Sequence, residues 1–530
     1  MLKNILVLLF LLYSSLYTSV IVAQVDLLLT NGRIVDGTGN PWFYGDVAIK
    51  DDQIVDIGRN LNLAALDTID AQGQVIAPGF IDVHGHIESS ILQRPEAGNF
   101  LHDGVTSIVT GNCGGSSTNM SAFFQDLRDT SISLNVAALI GHNSIRRQVM
   151  GETDNAPTQL QLDSMKAIVR RAMIDGAVGL STGLIYVPGT YAETSEVAAL
   201  AKEAGVYGGI YASHIRNESH TIEDAISEAV EIGRRADIPV QISHFKVSAR
   251  KLWGNSSMTL KMIEDYRGQG LDVTVDQYPY TASSTTLAVL LPNWSLAGGI
   301  ETLNRRLLID STKQRIIQDM KDQLTRDGES DYHYCAIARC PWEESYNGKR
   351  ISEVSELIYG SRSIDAQIET VLALVKKGER VQMIFHKMNE EDVERIMRAP
   401  FAMIASDAGI PRFGFSVPHP RAYGTNSRVL GKYVREEGII SIEDAIRKMT
   451  SLPASRFKFH DRGLLKPGYK ADIVIFDPDT VEDKATFEHP HAYAAGISTV
   501  LVNGQVTIRN HDHIGTRAGV ILMNEHATKL

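Results

Sequence analysis

Cysteine is almost absent from this chain. Among 530 residues there are three: Cys113, Cys335 and Cys340. That excludes a disulfide-dense scaffold and any four-cysteine zinc module. Proline is sparse at 17 residues and glycine frequent at 43, so neither a collagen nor a disordered low-complexity chain fits. Positive charge is in deficit, with 52 basic against 63 acidic residues and a formal net charge of −11. A nucleic-acid partner, which needs a clustered positive surface, is therefore not expected. Beyond the N-terminus no segment approaches the roughly 20 apolar residues of a membrane span. What is present is ordinary for a globular protein, at 43% hydrophobic and 22% charged residues. The length is about twice the ~250 residues of an eight-stranded α/β barrel, and that surplus needs a structural reason.

The N-terminus reads as an export signal. Lys3 is followed by the apolar run Ile5 to Leu12, then by Ser14, Ser15, Thr18 and Ser19. Ile21-Val22-Ala23 offers a small-residue cleavage site before Gln24. Residues 1–23 are expected to be a signal peptide, which places the mature chain in the periplasm or outside the cell, free of the membrane. A retained anchor is the alternative, because the whole of 5–23 just reaches across a bilayer. No cysteine lies near residue 24, so lipid attachment is not expected.

The middle of the chain alternates short Val/Ile-rich runs with segments of helical period. The runs are 78–86, 105–113, 135–142, 177–183, 209–214, 239–244, 271–277, 381–385 and 401–407. Helical segments lie between them, such as 163–174, 194–203, 221–235 and 364–377, with Ser195 and Thr221 at cap positions. Near-continuous apolar strands alternating with helices imply a parallel sheet covered by helices, and this many imply a closed (β/α)8 barrel over 78–460. Nine runs compete for eight places, so either 271–277 or 381–385 lies outside the barrel. Residues 24–77 and 461–530 read instead as short strands with turns, and together they make a small composite β-sandwich domain. The stretch from about 285 to 360 lacks the barrel rhythm and reads as an insertion.

The chemistry gathers at strand ends. The first run ends Asp82-Val83-His84-Gly85-His86, and residues two apart on a strand face the same way. His84 and His86 can thus reach one metal ion. The second run ends Gly111-Asn112-Cys113-Gly114, which sets a thiol at a strand terminus. Two more end in Ser-His, at Ser213-His214 and Ser243-His244, and the last ends Ser406-Asp407. All six groups fall on the C-terminal face of the barrel, where catalytic residues collect. Cys113, His214 and His244 give three ligands with one position open, the pattern of a catalytic zinc site. Thiolate with imidazole favours Zn2+ over Mg2+ or Ca2+. His84, His86 and Asp407 could hold a second ion, with Cys113 shared.

These motifs resemble the amidohydrolase superfamily, and within it the N-acyl-D-amino-acid deacylases (D-aminoacylases). The resemblance runs from Asn31-Gly32-Arg33 through the motifs above to His419-Pro420-Arg421 and Gly468-Tyr469-Lys470-Ala471-Asp472. Many amidohydrolases bridge two metals with a carboxylated lysine, whereas this branch is known for a cysteine. The fourth run, 179–184, carries no lysine, which counts against the hydantoinase and dihydroorotase branches. The resemblance implies one tightly held zinc on Cys113, His214 and His244 and a weaker second site on His84, His86 and Asp407. It further implies that Lys246, Tyr186 and Tyr278 bind the substrate's carboxylate, helped by Ser283 or Ser284. Arg216 and Arg421 match positions typical of the family without an assigned role.

The activity expected is hydrolysis of the amide bond of an N-acyl-D-amino acid, a small molecule. Zinc lowers the pKa of water and polarises a carbonyl, and Asp407 is placed to carry the proton from water to the leaving amine. The hand at Cα comes from the resemblance alone. A dipeptidase or another carboxylate-recognising amidohydrolase fits the same metal site, and an exported solute-binding protein is the rival outside enzymes. Cys335 and Cys340, five residues apart in an extended segment, are expected to stay unpaired.

Overall fold

Strands from both ends of the chain meet in one sheet. The computed structural model describes residues 24–524, so the export segment expected at 1–23 lies outside the described residues. The chain enters through β1 (Val25–Ile34), β2 (Phe43–Lys50), β3 (Gln53–Gly58), β4 (Ala65–Asp70) and β5 (Val75–Pro78). Eight strands of the barrel follow: β6 (Phe80–Asp82), β7 (Val105–Thr110), β8 (Asn135–Ala138) with its short continuation β9 (Ile140–Gly141), β10 (Gly179–Gly183), β11 (Ile210–His214), β12 (Val240–Ile242), β13 (Val273–Gln277) and, after an insertion, β17 (Ala402–Ile404). The insertion carries β14 (Ser283–Thr286), β15 (Cys335–Arg339) and β16 (Gln382–Phe385). The chain ends through β18 (Ile473–Phe476), β19 (Ile497–Val502), β20 (Gln505–Arg509) and β21 (Asp512–His513).

The terminal strands build a nine-stranded sheet, with β18 antiparallel to β5 joining the two ends. Leu29, Val47 and Ile54 from the first half share a core with Ile473 and Leu501 from the second. Neither half closes this core without the other. The tail then returns to the barrel, where Leu522 N–H donates to Val136 O at 2.9 Å.

The barrel strands pair in parallel, and nearly every residue on them is buried, which is why they read as unbroken apolar runs. The ring closes where His86 N–H donates to Ala408 O at 2.8 Å, bringing the first strand end to the last. Helices cover the outside. On Ile222–Ala236 the residues Ala225, Ile226, Ala229 and Val230 are buried toward the strands. Gly233 is required there, because a Cβ on it would lie 2.1 Å from Val240 Cγ2. Two cap expectations differ from the structure. The helix Thr194–Val206 starts before Ser195, and the Thr221 hydroxyl makes no capping bond.

The surplus ninth run is resolved by pairing. β13 sits in the barrel between β12 and β17, whereas 381–385 forms β16, antiparallel to both β14 and β15. The inserted unit therefore extends to Phe385, past the expected limit near 360, because its central strand is the last to be added. A short apolar run looks the same in either setting. The insertion holds its own core around Leu303, Ile316, Ile337, Val354, Val371 and Phe385. Among the described residues no helix is long and apolar enough to cross a membrane. Cys335 and Cys340 are both buried and free.

Candidate metal centre

Four strand ends converge on the Cys113 sulfur. His84 Nε2 lies 3.3 Å from Sγ, His244 Nε2 3.5 Å and His214 Nδ1 3.6 Å. His86 completes a group with His84 and Cys113, all ligand atoms lying within 4.8 Å of one another. Cys113, His214 and His244 form a second such group, and His84, His244 and Asp407 a third. Asp407 Oδ1 sits 3.0 Å from His86 Nε2 and 3.6 Å from His84 Nε2. All six residues expected at the metal thus lie together. The two expected ligand sets interleave here, with His84 Nε2 3.3 Å from Cys113 Sγ and 3.6 Å from Asp407 Oδ1.

Local backbone geometry produces this convergence. Cys113, His244 and Asp407 all adopt left-handed conformations, with φ of 52°, 36° and 52°. Non-glycine residues rarely do so, and each instance costs on the order of 1–3 kcal/mol. The turn at each strand end swings the side chain inward. Gly114 beside Cys113 also has positive φ, and a Cβ on it would lie 2.8 Å from Gly183 N. Gly85 lets the first strand end approach β7, since a Cβ there would sit 2.4 Å from Ile108 Cδ1. Glu88 Oε1 accepts from Gly111 N–H at 2.5 Å and steadies the cysteine turn.

Buried carboxylates hold the ring from outside. Asp82 accepts from His84 N–H at 2.9 Å and Ser406 N–H at 3.2 Å, tying the first strand to the last. Asp276 on β13 accepts from His244 N–H at 2.7 Å and lies 3.3 Å from His84 Nδ1. Glu218 Oε1 lies 2.5 Å from Lys246 Nζ, 3.0 Å from His244 Nδ1 and 3.8 Å from His214 Nε2.

The electrostatics favour ionised ligands. Burial pushes the Cys113 thiol up, but His84 and the hydrogen bonds of His214 and His244 outweigh it and hold the group well below the ordinary thiol range. Burial likewise opposes ionisation of Asp407, and Arg421 with His84 and His86 overcomes it, so the carboxyl stays well below its usual range. One thiolate, several imidazole nitrogens and a carboxylate are the donor types zinc takes. The residues therefore fit the metal.

A cleft of about 1170 Å3 opens over this cluster. His86, Cys113, Asp407 and Arg421 line its base, and Val289 and Leu296 of the insertion line its side. Of the five residues expected to bind substrate, Tyr186 and Ser284 line the cleft. The Tyr186 ring packs 4.7 Å from that of His214, and its hydroxyl accepts from Thr285 Oγ1 at 2.9 Å. Ser284 Oγ is used within the insertion, donating to Met383 O at 2.7 Å. Ser283 pairs with Phe385 across β14 and β16. Lys246 and Tyr278 are buried more deeply. Lys246, 5% exposed, pairs with Glu218 at 2.5 Å and lines a small cavity together with His244 and Tyr278. Tyr278, 2% exposed, lies beneath Arg421, whose guanidinium stacks 4.5 Å above its ring.

Both arginines left without a role now have a place. Arg421 Nη2 lies 2.9 Å from Asp407 Oδ2, and its own N–H donates to His419 Nδ1 at 3.0 Å. Arg216 is a brace: it grips Glu228 through Nε and Nη2 at 2.8 Å each and donates to Thr190 O. Sequence reasoning missed Glu218, Asp276 and Asp82. The signal for Glu218 was its position four residues after His214 in the same strand-end loop.

Comparison with known proteins places these features. The model of the amidohydrolase family matches residues 67–290 and 357–508, leaving out most of the insertion. A D-aminoacylase of Alcaligenes xylosoxydans xylosoxydans is 35% identical over 520 residues, covering 94% of this chain and 97% of the relative. A solved D-aminoacylase, described as having a binuclear metal centre with one-metal activation and second-metal attenuation, superposes with a TM-score of 0.80 at 33% identity, covering 94% of this chain and 99% of that one. The N-acyl-D-glutamate deacylase of Bordetella bronchiseptica, solved with zinc and a phosphonate mimic of the tetrahedral intermediate, gives a TM-score of 0.80 at 32% identity, covering 94% and 100%. On these matches, and on a metal cluster built around a cysteine at the mouth of the barrel, the chain belongs to the amidohydrolase family.

Proposed function

We propose that this protein is a zinc-dependent hydrolase of N-acyl-D-amino acids, releasing a carboxylate and a free D-amino acid. The observation that carries the reading is the Cys113, His214 and His244 cluster with Asp407 beside it at the base of an open cleft. Zinc bound there supplies Lewis acidity toward the scissile carbonyl and a more acidic water. Cys113, His214 and His244 hold it, with His84 and His86 adjoining.

Asp407 takes the proton as water adds to the acyl carbon. It returns that proton to the amine nitrogen as the C–N bond breaks. Its two oxygens are fixed by different partners, His86 on Oδ1 and Arg421 on Oδ2. The α-carboxylate of the substrate docks among Lys246, Tyr186 and Tyr278 beside the cluster, where Lys246 Nζ lies 2.9 Å from His244 Nδ1 and the Tyr186 ring 4.7 Å from that of His214. The D-configuration and the N-acyl amino acid class rest on the three relatives described above, whose names place them on such substrates.

We also propose that residues 1–23 direct export and that the enzyme works in the periplasm or outside the cell, on a free small molecule and not on nucleic acid. The deciding experiment is a substrate panel of N-acetyl-D-amino acids, their L-forms and dipeptides, run with the zinc enzyme. Turnover confined to the D-series supports the reading. Preference for dipeptides or for L-forms sinks it.

A further inference from the structure

We infer that Glu218 is a positioning residue that orients both His214 and His244 toward zinc through a single carboxylate oxygen. This rests on the reading that Cys113, His214 and His244 hold the metal.

An imidazole has two nitrogens, and a metal takes the one without a proton. His214 turns Nδ1 toward Cys113, and His244 turns Nε2. The remaining nitrogens, His214 Nε2 and His244 Nδ1, must then carry protons; Glu218 Oε1 lies within hydrogen-bond distance of His244 Nδ1 at 3.0 Å and is near His214 Nε2 at 3.8 Å. His214 Nε2 is buried with no hydrogen-bond partner among the described residues, so the Glu218 carboxylate is its available counterpart. Lys246 Nζ approaches His244 Nδ1 to 2.9 Å, and two donors facing each other need an acceptor between them. Glu218 fills that place, 2.5 Å from the ammonium.

The loop is built to hold this carboxylate still. Glu218 follows β11 and precedes the helix Ile222–Ala236. Its carbonyl accepts Ser248 N–H at 2.9 Å and Ser248 Oγ at 3.1 Å, which locks the loop after β11 onto the loop after β12. Asn217 Oδ1 accepts from Ser219 N–H at 2.8 Å and Thr221 N–H at 3.2 Å, fixing the backbone on either side. One residue thereby sets the angle of two ligands that arrive on neighbouring strands. Outer carboxylates of this kind fix the tautomer and raise the basicity of the ligand.

The rival explanation is that Glu218 is only the counter-ion of Lys246. Three variants separate the two: Glu218→Gln, Lys246→Met, and the pair together, in which no buried charge is left alone. The readout is the zinc dissociation constant, from competition with a chromophoric chelator in the absence of substrate, with thermal unfolding alongside. Glu218→Gln is expected to weaken zinc about 10–100-fold. The double variant is expected to regain thermal stability yet keep the weak zinc affinity, while Lys246→Met alone binds zinc nearly as the parent does. At saturating zinc, Glu218→Gln lowers kcat and leaves KM little changed. Parental zinc affinity in Glu218→Gln, or its recovery in the double variant, overturns the inference. Zinc binding is read without substrate, so a parent enzyme that binds zinc but does not hydrolyse N-acyl-D-amino acids refutes the proposed function and leaves this test standing.

Discussion

Replacing Arg421 with methionine tests how the proton carrier is controlled. Arg421 is 4% exposed, and its Nη2 lies 2.9 Å from Asp407 Oδ2. Methionine keeps much of the packing over Tyr278 and removes the charge. An arginine beside an aspartate favours the ionised carboxylate, so the variant raises the Asp407 pKa. A carboxylate held below its unfolded value adds stability at neutral pH, and that stability is lost as the pH falls through the folded pKa. In the variant this loss, and the acid limb of kcat/KM, both move to higher pH. Breaking a buried ion pair costs about 3–5 kcal/mol. Asp407 keeps His86 at 3.0 Å, which places this case near the lower end. At roughly 2–4 °C per kcal/mol for chains of 150–250 residues, and less for a longer chain, the melting temperature falls by several degrees. The assay is a pH–rate profile on protein of verified zinc content. An acid limb that does not move, with zinc content unchanged, refutes the account of Arg421 as the group that keeps Asp407 ionised.

Three further outcomes are expected. Cys113→Ala removes the sulfur on which three imidazoles converge, so metal analysis finds zinc lost on dialysis; retained zinc contradicts the ligand set. Asp407→Asn keeps its zinc but loses nearly all amide hydrolysis, by at least the 100-fold typical of a general acid–base group; full activity removes Asp407 from the mechanism. The half-buried Val289 and Leu296 on the cleft wall predict that kcat/KM rises with acyl length from acetyl to hexanoyl, up to about fourfold per methylene at ~0.8 kcal/mol each. A flat series contradicts an apolar acyl wall.

The parts legible in the sequence were those that depend on strand periodicity. His84-x-His86, the two Ser-His pairs, Cys113 and Asp407 all terminate apolar runs, and a parallel barrel brings such ends to one face. Pairing across loops was not legible. Lys246 and Glu218 are 28 residues apart, and nothing in their spacing says that one neutralises the other. Asp276 lies inside the run read as a strand over 271–277, and nothing in that run marks its carboxylate as the support of two histidines. The end of the insertion was misplaced for a similar reason: β16 is as apolar as a barrel strand, and only its antiparallel partners distinguish it. The left-handed backbone at Cys113, His244 and Asp407 carried no signal either, because side-chain type rarely announces positive φ outside glycine and asparagine.

The central claim is that zinc on Cys113, His214 and His244 drives hydrolysis selective for the D-hand. Stripping the enzyme of metal and restoring zinc by titration, while following N-acetyl-D- and N-acetyl-L-amino acid cleavage in parallel, tests it most directly. The account predicts no turnover without zinc, activity that rises with the first equivalent, and cleavage of the D-substrate alone. Turnover by the metal-free protein, or equal cleavage of both hands, would contradict it.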